Sequence, residues 1–191
     1  MKKHNTVKCI VICAVMVALS TVVGLFPLSS PFPYGGSITI GSLVPLILTA
    51  YLLGPKWGIM SAFCYSLIQL ALGVGEVAGW GLSAGVFVGC LLLDYVLAYT
   101  SVAVAAFFRK GKPWTIVPAA ICACFARFVC HFISGALFFG MWAQDGFDSI
   151  TWALVYNGGY MLPEGIICAV ICAALIPFIP MFRKAVSSDV K

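Results

Sequence analysis

Apolar residues run along this chain in long blocks, with the polar residues gathered between the blocks rather than alternating inside them. Read between its breakers, the pattern predicts six helical spans, at 7–27, 38–53, 57–74, 82–108, 114–142 and 150–182. The breakers are the cluster LSSPFPYGG at 28–36, Gly54-Pro55, the glycine-rich GVGEVAGWG at 73–81, and the basic run from Arg109 to Pro113. A helix needs about 20 apolar residues to cross a bilayer core of roughly 30 Å. The second span is short for that task, which implies tilt, partial crossing or a locally thin membrane.

Composition turns this pattern into a class. Hydrophobic residues make up 62% of the 191 positions and charged residues 9%, and mean hydropathy is +1.08. Too little charge is present to cover a soluble domain. The reading is an all-α integral membrane protein, with a single six-helix domain over 1–191. Lys2, Lys3, Lys8, Lys56, Arg109, Lys110, Lys112, Arg183, Lys184 and Lys191 fall at alternate ends of the spans, while the opposite connections carry Glu76, Asp145 and Asp148. By the positive-inside rule both termini are cytoplasmic and the loops near 28–37, 75–81 and 143–149 face outward. The net charge of +5 is therefore an orientation signal and gives no reason to expect nucleic acid as a partner. The first span has no small-x-small cleavage site before the proline-rich loop, so it reads as a retained helix. The nine cysteines all lie in apolar spans without a CxxC pair, as packing residues do, and they imply no metal or disulfide framework.

Four ionisable residues interrupt the apolar spans: Asp94, Arg127, His131 and Glu164. An Asp or Arg costs on the order of 2.5–3.5 kcal/mol at a helix centre, so such groups face protein or a wet cavity and are candidates for function. Arg127, His131, Ser134 and Phe138 follow helical spacing along one stripe of the fifth span, and Asn157, Tyr160 and Glu164 share a face of the sixth. Asp94 and Tyr95 lie mid-span in the fourth. Phe138, Phe139, Trp142, Phe147, Trp152 and Tyr156 crowd the outward end, where they can form either an interface belt or a cage for a flat, cationic ligand. Asp94 with Arg127 can equally be an ion pair locking two helices, and Glu164 can pair or touch ligand. No phosphate-binding glycine loop, Ser/His/Asp order or HExxH motif is present. An ATP-driven activity would borrow its motor, and the chain is not read as an enzyme. No cofactor is implied.

The runs HFISGALFFGMWAQDGFDSITWALVYNG (131–158), KCIVICAVMVALS (8–20) and LLLDYV (91–96) resemble the thiamine-specific S components of energy-coupling factor (ECF) transporters. The resemblance covers most of the chain. It implies a small six-helix subunit of the bacterial cell membrane that captures a vitamin from outside. Such a subunit docks on a transmembrane coupling subunit with two ATPases, through small residues at AxxxA spacing on the first helix, here Ala14 and Ala18 on a face extended by Thr21. The resemblance marks His131 and Asn157 as ligand contacts. It also sets Asp94 where the family has glutamate, Tyr95 on the following tyrosine, Arg127 on a lysine, Trp152 on a tyrosine and Phe139 on a tryptophan. A further family tryptophan, in the first outward loop, falls on Gly36, with Trp80 a candidate substitute. Loops around 31–36 and 73–81 are expected to control access. The alternatives are another vitamin or precursor such as hydroxymethylpyrimidine, a self-sufficient proton-coupled transporter using Asp94 and Glu164, and, last, a membrane enzyme.

Overall fold

A computed structural model describes residues 6–28 and 36–187. Its helices are α1 (Thr6–Gly24), α2 (Val44–Leu53), α3 (Pro55–Ala78), α4 (Ala84–Phe108), α5 (Pro113–Phe138), α6 (Ser149–Ala174) and α7 (Ile179–Ser187). Among the described residues, α1, α3, α4, α5 and α6 are long and apolar enough to cross a membrane. This is a multi-pass, all-helical membrane protein. Its lipid-facing surface keeps large side chains such as Val15, Phe125, Leu162 and Val170 exposed, as a bundle solvated by acyl chains requires.

The short second span is explained by where it sits. With 10 residues, α2 rises only about 15 Å, and every residue but Leu52 is buried. It is the axis of the bundle, packed by α1, α3, α4 and α5. It is preceded by the irregular backbone of 36–43, in which Thr39, Ser42 and Leu43 are buried. Non-helical backbone at membrane depth survives only inside protein, with its polar groups bonded. Here Glu164 of α6 supplies the acceptor for the Thr39 amide. Gly54, at φ +94°, breaks α2 from α3, and Gly58 lets the start of α3 lie against Ala50.

Besides the late start of the second helix at Val44 rather than 38, three further span boundaries differ from the sequence reading. The glycine-rich outward loop expected at 75–81 is helix as far as Ala78. Gly73 is needed there because any β-carbon would collide with the Tyr95 ring. The span expected at 114–142 stops as helix at Phe138, followed by a 3-10 turn at Gly140–Trp142. The span expected at 150–182 ends at Ala174, and a 3-10 turn at Ile176–Phe178 leads into the separate α7. Pro177 and Pro180 remove backbone donors at the break. Asp148 caps α6, accepting from the Thr151 amide at 2.6 Å, and that bond holds its carboxyl below the usual carboxylate range.

The basic residues collect at one end. Arg183 of α7 donates to the carbonyls of Gly111 and Arg109, each at 2.9 Å, and to the Tyr51 hydroxyl at 2.8 Å. The Arg109 guanidinium lies against Gly54. This basic end is the cytoplasmic one by the positive-inside rule.

Candidate functional site

At the opposite half of the bundle, α4, α5 and α6, together with Gly36, Ser37 and Trp80, line a cavity of about 170 Å³. The α5–α6 contact that builds its floor depends on Gly135. A β-carbon there would stand 2.9 Å from both the Ala153 β-carbon and the Asn157 side chain, so only glycine permits this approach.

The backbone of α4 widens at the cavity. Leu91–Leu97 forms a π-helical stretch, a feature often found at functional sites. The wide turn places residues four and five apart on the same side, so that Cys90, Asp94, Tyr95 and Tyr99 all line the cavity. From the sequence alone Cys90 and Tyr99 were not candidates, because ordinary helical spacing does not put Asp94 and Tyr95 together with both. Their only signal is the four-residue spacing of Cys90 from Asp94 and of Tyr99 from Tyr95.

All seven residues that the resemblance places at the family's site positions (Asp94, Tyr95, Arg127, His131, Phe139, Trp152, Asn157) border this one cavity. Their internal bonding differs from the simplest expectation. Asp94 does not pair with Arg127 but with His131, Nδ1 to Oδ1 at 2.8 Å. Its second oxygen accepts from the Ser134 hydroxyl at 2.5 Å and the Cys90 thiol at 3.2 Å. Arg127 is 8% exposed. It lies over the Tyr99 ring at 4.6 Å and donates to that hydroxyl at 3.3 Å, so an aromatic face and a phenol take the place of a carboxylate partner. Asn157 donates to the Ala153 carbonyl at 2.9 Å and the His131 carbonyl at 3.3 Å, and accepts from Tyr160 at 2.9 Å. That amide ties α6 to α5 beside the histidine.

Two buried nitrogens, Arg127 Nε and His131 Nε2, have no hydrogen-bond partner among the described residues. An orphaned polar atom in a buried site costs roughly 1–3 kcal/mol, and both belong to residues lining the cavity. They are natural anchors for a polar ligand.

The outward wall is aromatic. Phe139 and Trp142 stack at 5.3 Å, and Trp80 meets them edge-on at 5.9 and 6.0 Å. Trp80 thus stands at the cavity from just beyond the end of α3. Trp152 and Tyr156 contact each other at 5.7 Å on the α6 side. Phe138, the outer member of the α5 stripe, does not line the cavity; its ring occupies the space left by Gly89 on α4. Most of the loop expected at 31–36 lies outside the described residues. Gly36 and Ser37 border the cavity, with Gly36 close against the Tyr160 ring.

Glu164 lies below this site and does not line it. Its carboxylate accepts from the Thr39 amide at 2.5 Å, the Thr39 hydroxyl at 2.6 Å and the Ser42 hydroxyl at 3.5 Å. It anchors the irregular segment before α2, which answers the open choice between pairing and ligand contact. Ala14 and Ala18 are exposed on α1, and the Thr21 hydroxyl turns back to the Val17 carbonyl at 2.9 Å. That face is therefore smooth and free of unmet polar groups from Thr21.

Known proteins share this sequence and architecture. Residues 10–184 match the family described as Thiamine transporter protein (Thia_YuaJ). The thiamine transporter ThiT of Bacillus subtilis is 32% identical over 187 residues, covering 92% of this chain and 91% of that protein. ThiT of Lacticaseibacillus paracasei is 25% identical over 156 residues, covering 75% of each. A solved structure of ThiT from Listeria monocytogenes superposes with a TM-score of 0.75 at 20% identity, covering 93% of this chain and 97% of that one; the likeness establishes the fold. With the family match spanning nearly the whole chain and a relative at 32% identity, this protein belongs to the thiamine transporter protein family.

Proposed function

We propose that this chain is the substrate-capturing S component of an ECF-type importer and that its cavity holds thiamine. The observation carrying this reading is the cavity's composition: a carboxylate and two partnerless nitrogens beneath an aromatic wall. Thiamine joins a thiazolium cation to an aminopyrimidine. Its cation suits the Asp94 carboxylate and the faces of Phe139, Trp142 and Trp152. Its pyrimidine edge offers donors and acceptors to His131, Arg127 and Tyr95. Asn157 holds the histidine's helix in register and keeps one lone pair of its oxygen for the ligand. The names of the relatives as thiamine transporters support the same ligand.

The energy for uptake comes, in this reading, from a transmembrane coupling subunit and two ATPases. The exposed Ala14-x-x-x-Ala18 face of α1 is the docking surface, since small residues let a partner helix approach closely in lipid. Replacing Ala14 or Ala18 with phenylalanine is expected to abolish ATP-driven thiamine uptake in cells or proteoliposomes carrying the complete complex. Thiamine binding by the isolated chain should stay within about twofold of wild type, because surface substitutions away from a site typically shift free energy by about 0.5 kcal/mol or less. Parallel loss of binding and uptake would reject this face as the docking surface.

A further inference from the structure

Away from the cavity, α5 and α6 leave a groove between them on the face turned to lipid. Its volume is about 640 Å³, and it runs from Val117 and Ala173 at one end to Phe128 and Gly158 at the other. Its rims are exposed side chains, Ile121 and Phe125 on α5 and Leu162, Ile166 and Val170 on α6. Between the rims lie the small residues Gly158, Gly165 and Ala169, which share one stripe of α6. A glycine inside a helix is less stable there than alanine, so it calls for a reason. Gly73, Gly89 and Gly135 have one, because a β-carbon at any of them would strike a neighbouring side chain. Gly158 and Gly165 have no such neighbour. Among the described residues, a β-carbon at 158 would meet nothing within 4 Å, and one at 165 would make ordinary contact with Cys124 at 3.5 Å. What these two glycines provide is the depth of the groove.

The groove's length and position say what fits it. On α5 it extends from Val117 to Phe128, a rise of about 17 Å, close to the roughly 15 Å of hydrocarbon in one leaflet. Its Val117 end is the cytoplasmic one. Trp114, 57% exposed, stands one turn before Val117, and Lys110 and Lys112 are exposed just ahead of it. Aromatic rings and lysines so placed mark the headgroup layer. A partner helix, about 10–12 Å across with its side chains, is held off the small residues by rims on both sides, whereas a single acyl chain is not. We infer that this groove is a binding site for an anionic phospholipid of the inner leaflet, with one acyl chain laid along Gly165 and Ala169 and the headgroup at Lys110, Lys112 and Trp114. The chain gains apolar contact on three sides, where lipid elsewhere meets a convex surface. The lysines add a preference for negative charge.

The full chain, purified in detergent and washed free of lipid, is titrated with phosphatidylglycerol or phosphatidylcholine of the same acyl chains and read by native mass spectrometry. One phosphatidylglycerol per chain is expected, with phosphatidylcholine bound about fivefold more weakly or worse, the scale of one lysine at a charged surface. Lys112→Gln should narrow that preference while leaving a phospholipid bound. Gly165→Leu and Ala169→Leu fill the groove, and each should weaken binding about tenfold or more, the scale of two methylenes left out of apolar contact. Both should keep the wild-type helicity and thermal midpoint, since position 165 has room for a β-carbon and Ala169 lies in the same open groove. Groove variants that bind as wild type does, or equal binding of the two lipids by wild type, overturn the inference. So does a wild-type dimer that Gly165→Leu turns into a monomer, which would give the groove to a second copy of the chain. A reading without groove variants comes from phosphatidylglycerol brominated along its acyl chains. It should quench Trp114 saturably, taken as the difference between wild type and Trp114→Phe. No saturable difference overturns the inference even where a groove variant misfolds. Thiamine enters none of these measurements, so their result stands whether or not the cavity binds it.

Discussion

Replacing His131 with alanine is expected to weaken thiamine binding by roughly 100-fold, about 2.8 kcal/mol at 1.4 kcal/mol per tenfold. The magnitude follows from what the ring does at once. It is the donor for Asp94 Oδ1 at 2.8 Å, it holds the orphaned Nε2 at the cavity, and its loss removes one good hydrogen bond to ligand while leaving the aspartate undercompensated. The helix itself should persist, because α5 is fixed on α6 by the close approach at Gly135 and by the Asn157 amide bonded to the residue-131 carbonyl, which alanine retains. Calorimetric titration of the purified variant, with helicity checked by circular dichroism, measures this. Affinity within a few-fold of wild type would remove the histidine from the site.

A second large effect is expected far from the ligand. Glu164→Ala deletes the acceptor for the buried Thr39 amide and for the Thr39 and Ser42 hydroxyls. Bonds to a charged acceptor contribute about 1.5–3 kcal/mol each, and a buried donor left unmet costs its desolvation. At least about 3 kcal/mol of stability should be lost, visible as a large drop in the thermal midpoint in detergent. Glu164→Gln should fall between the two, since its amide accepts through one oxygen only. Thiamine affinity should fall as well, because Gly36 and Ser37 lead directly into this segment and border the cavity. An unchanged midpoint in Glu164→Ala would mean that the segment 36–43 is held by other contacts.

Asp94 and Glu164 mark what the sequence could and could not disclose. Charge inside an apolar run marked Asp94, Arg127, His131 and Glu164 as residues with a job, since lipid tolerates such groups only when they are enclosed. Helical spacing joined Arg127 to His131 and Asn157 to Tyr160, and these four line the cavity, whereas Ser134, Phe138 and Glu164 of the same two stripes do not. Spacing does not reveal partners across helices. Asp94 turned to His131 rather than Arg127, and Glu164 turned to an irregular loop that no periodicity describes. The π-helical stretch of α4 was equally hidden, because a change of turn width alters which residues share a face without altering composition. Glycines misled in one place: the run at 73–81 has the composition of a loop, but Gly73 is there to admit Tyr95 against a continuing helix.

The cavity is expected to bind thiamine without any other subunit. Trp80, Trp142 and Trp152 line it, which is three of the five tryptophans in the chain, so intrinsic fluorescence reports directly on its occupancy. Titrating thiamine into the purified wild-type chain should produce a saturable change in tryptophan fluorescence at submicromolar to micromolar ligand. A signal that stays flat or drifts without saturating across that range would contradict the assignment of thiamine to this site.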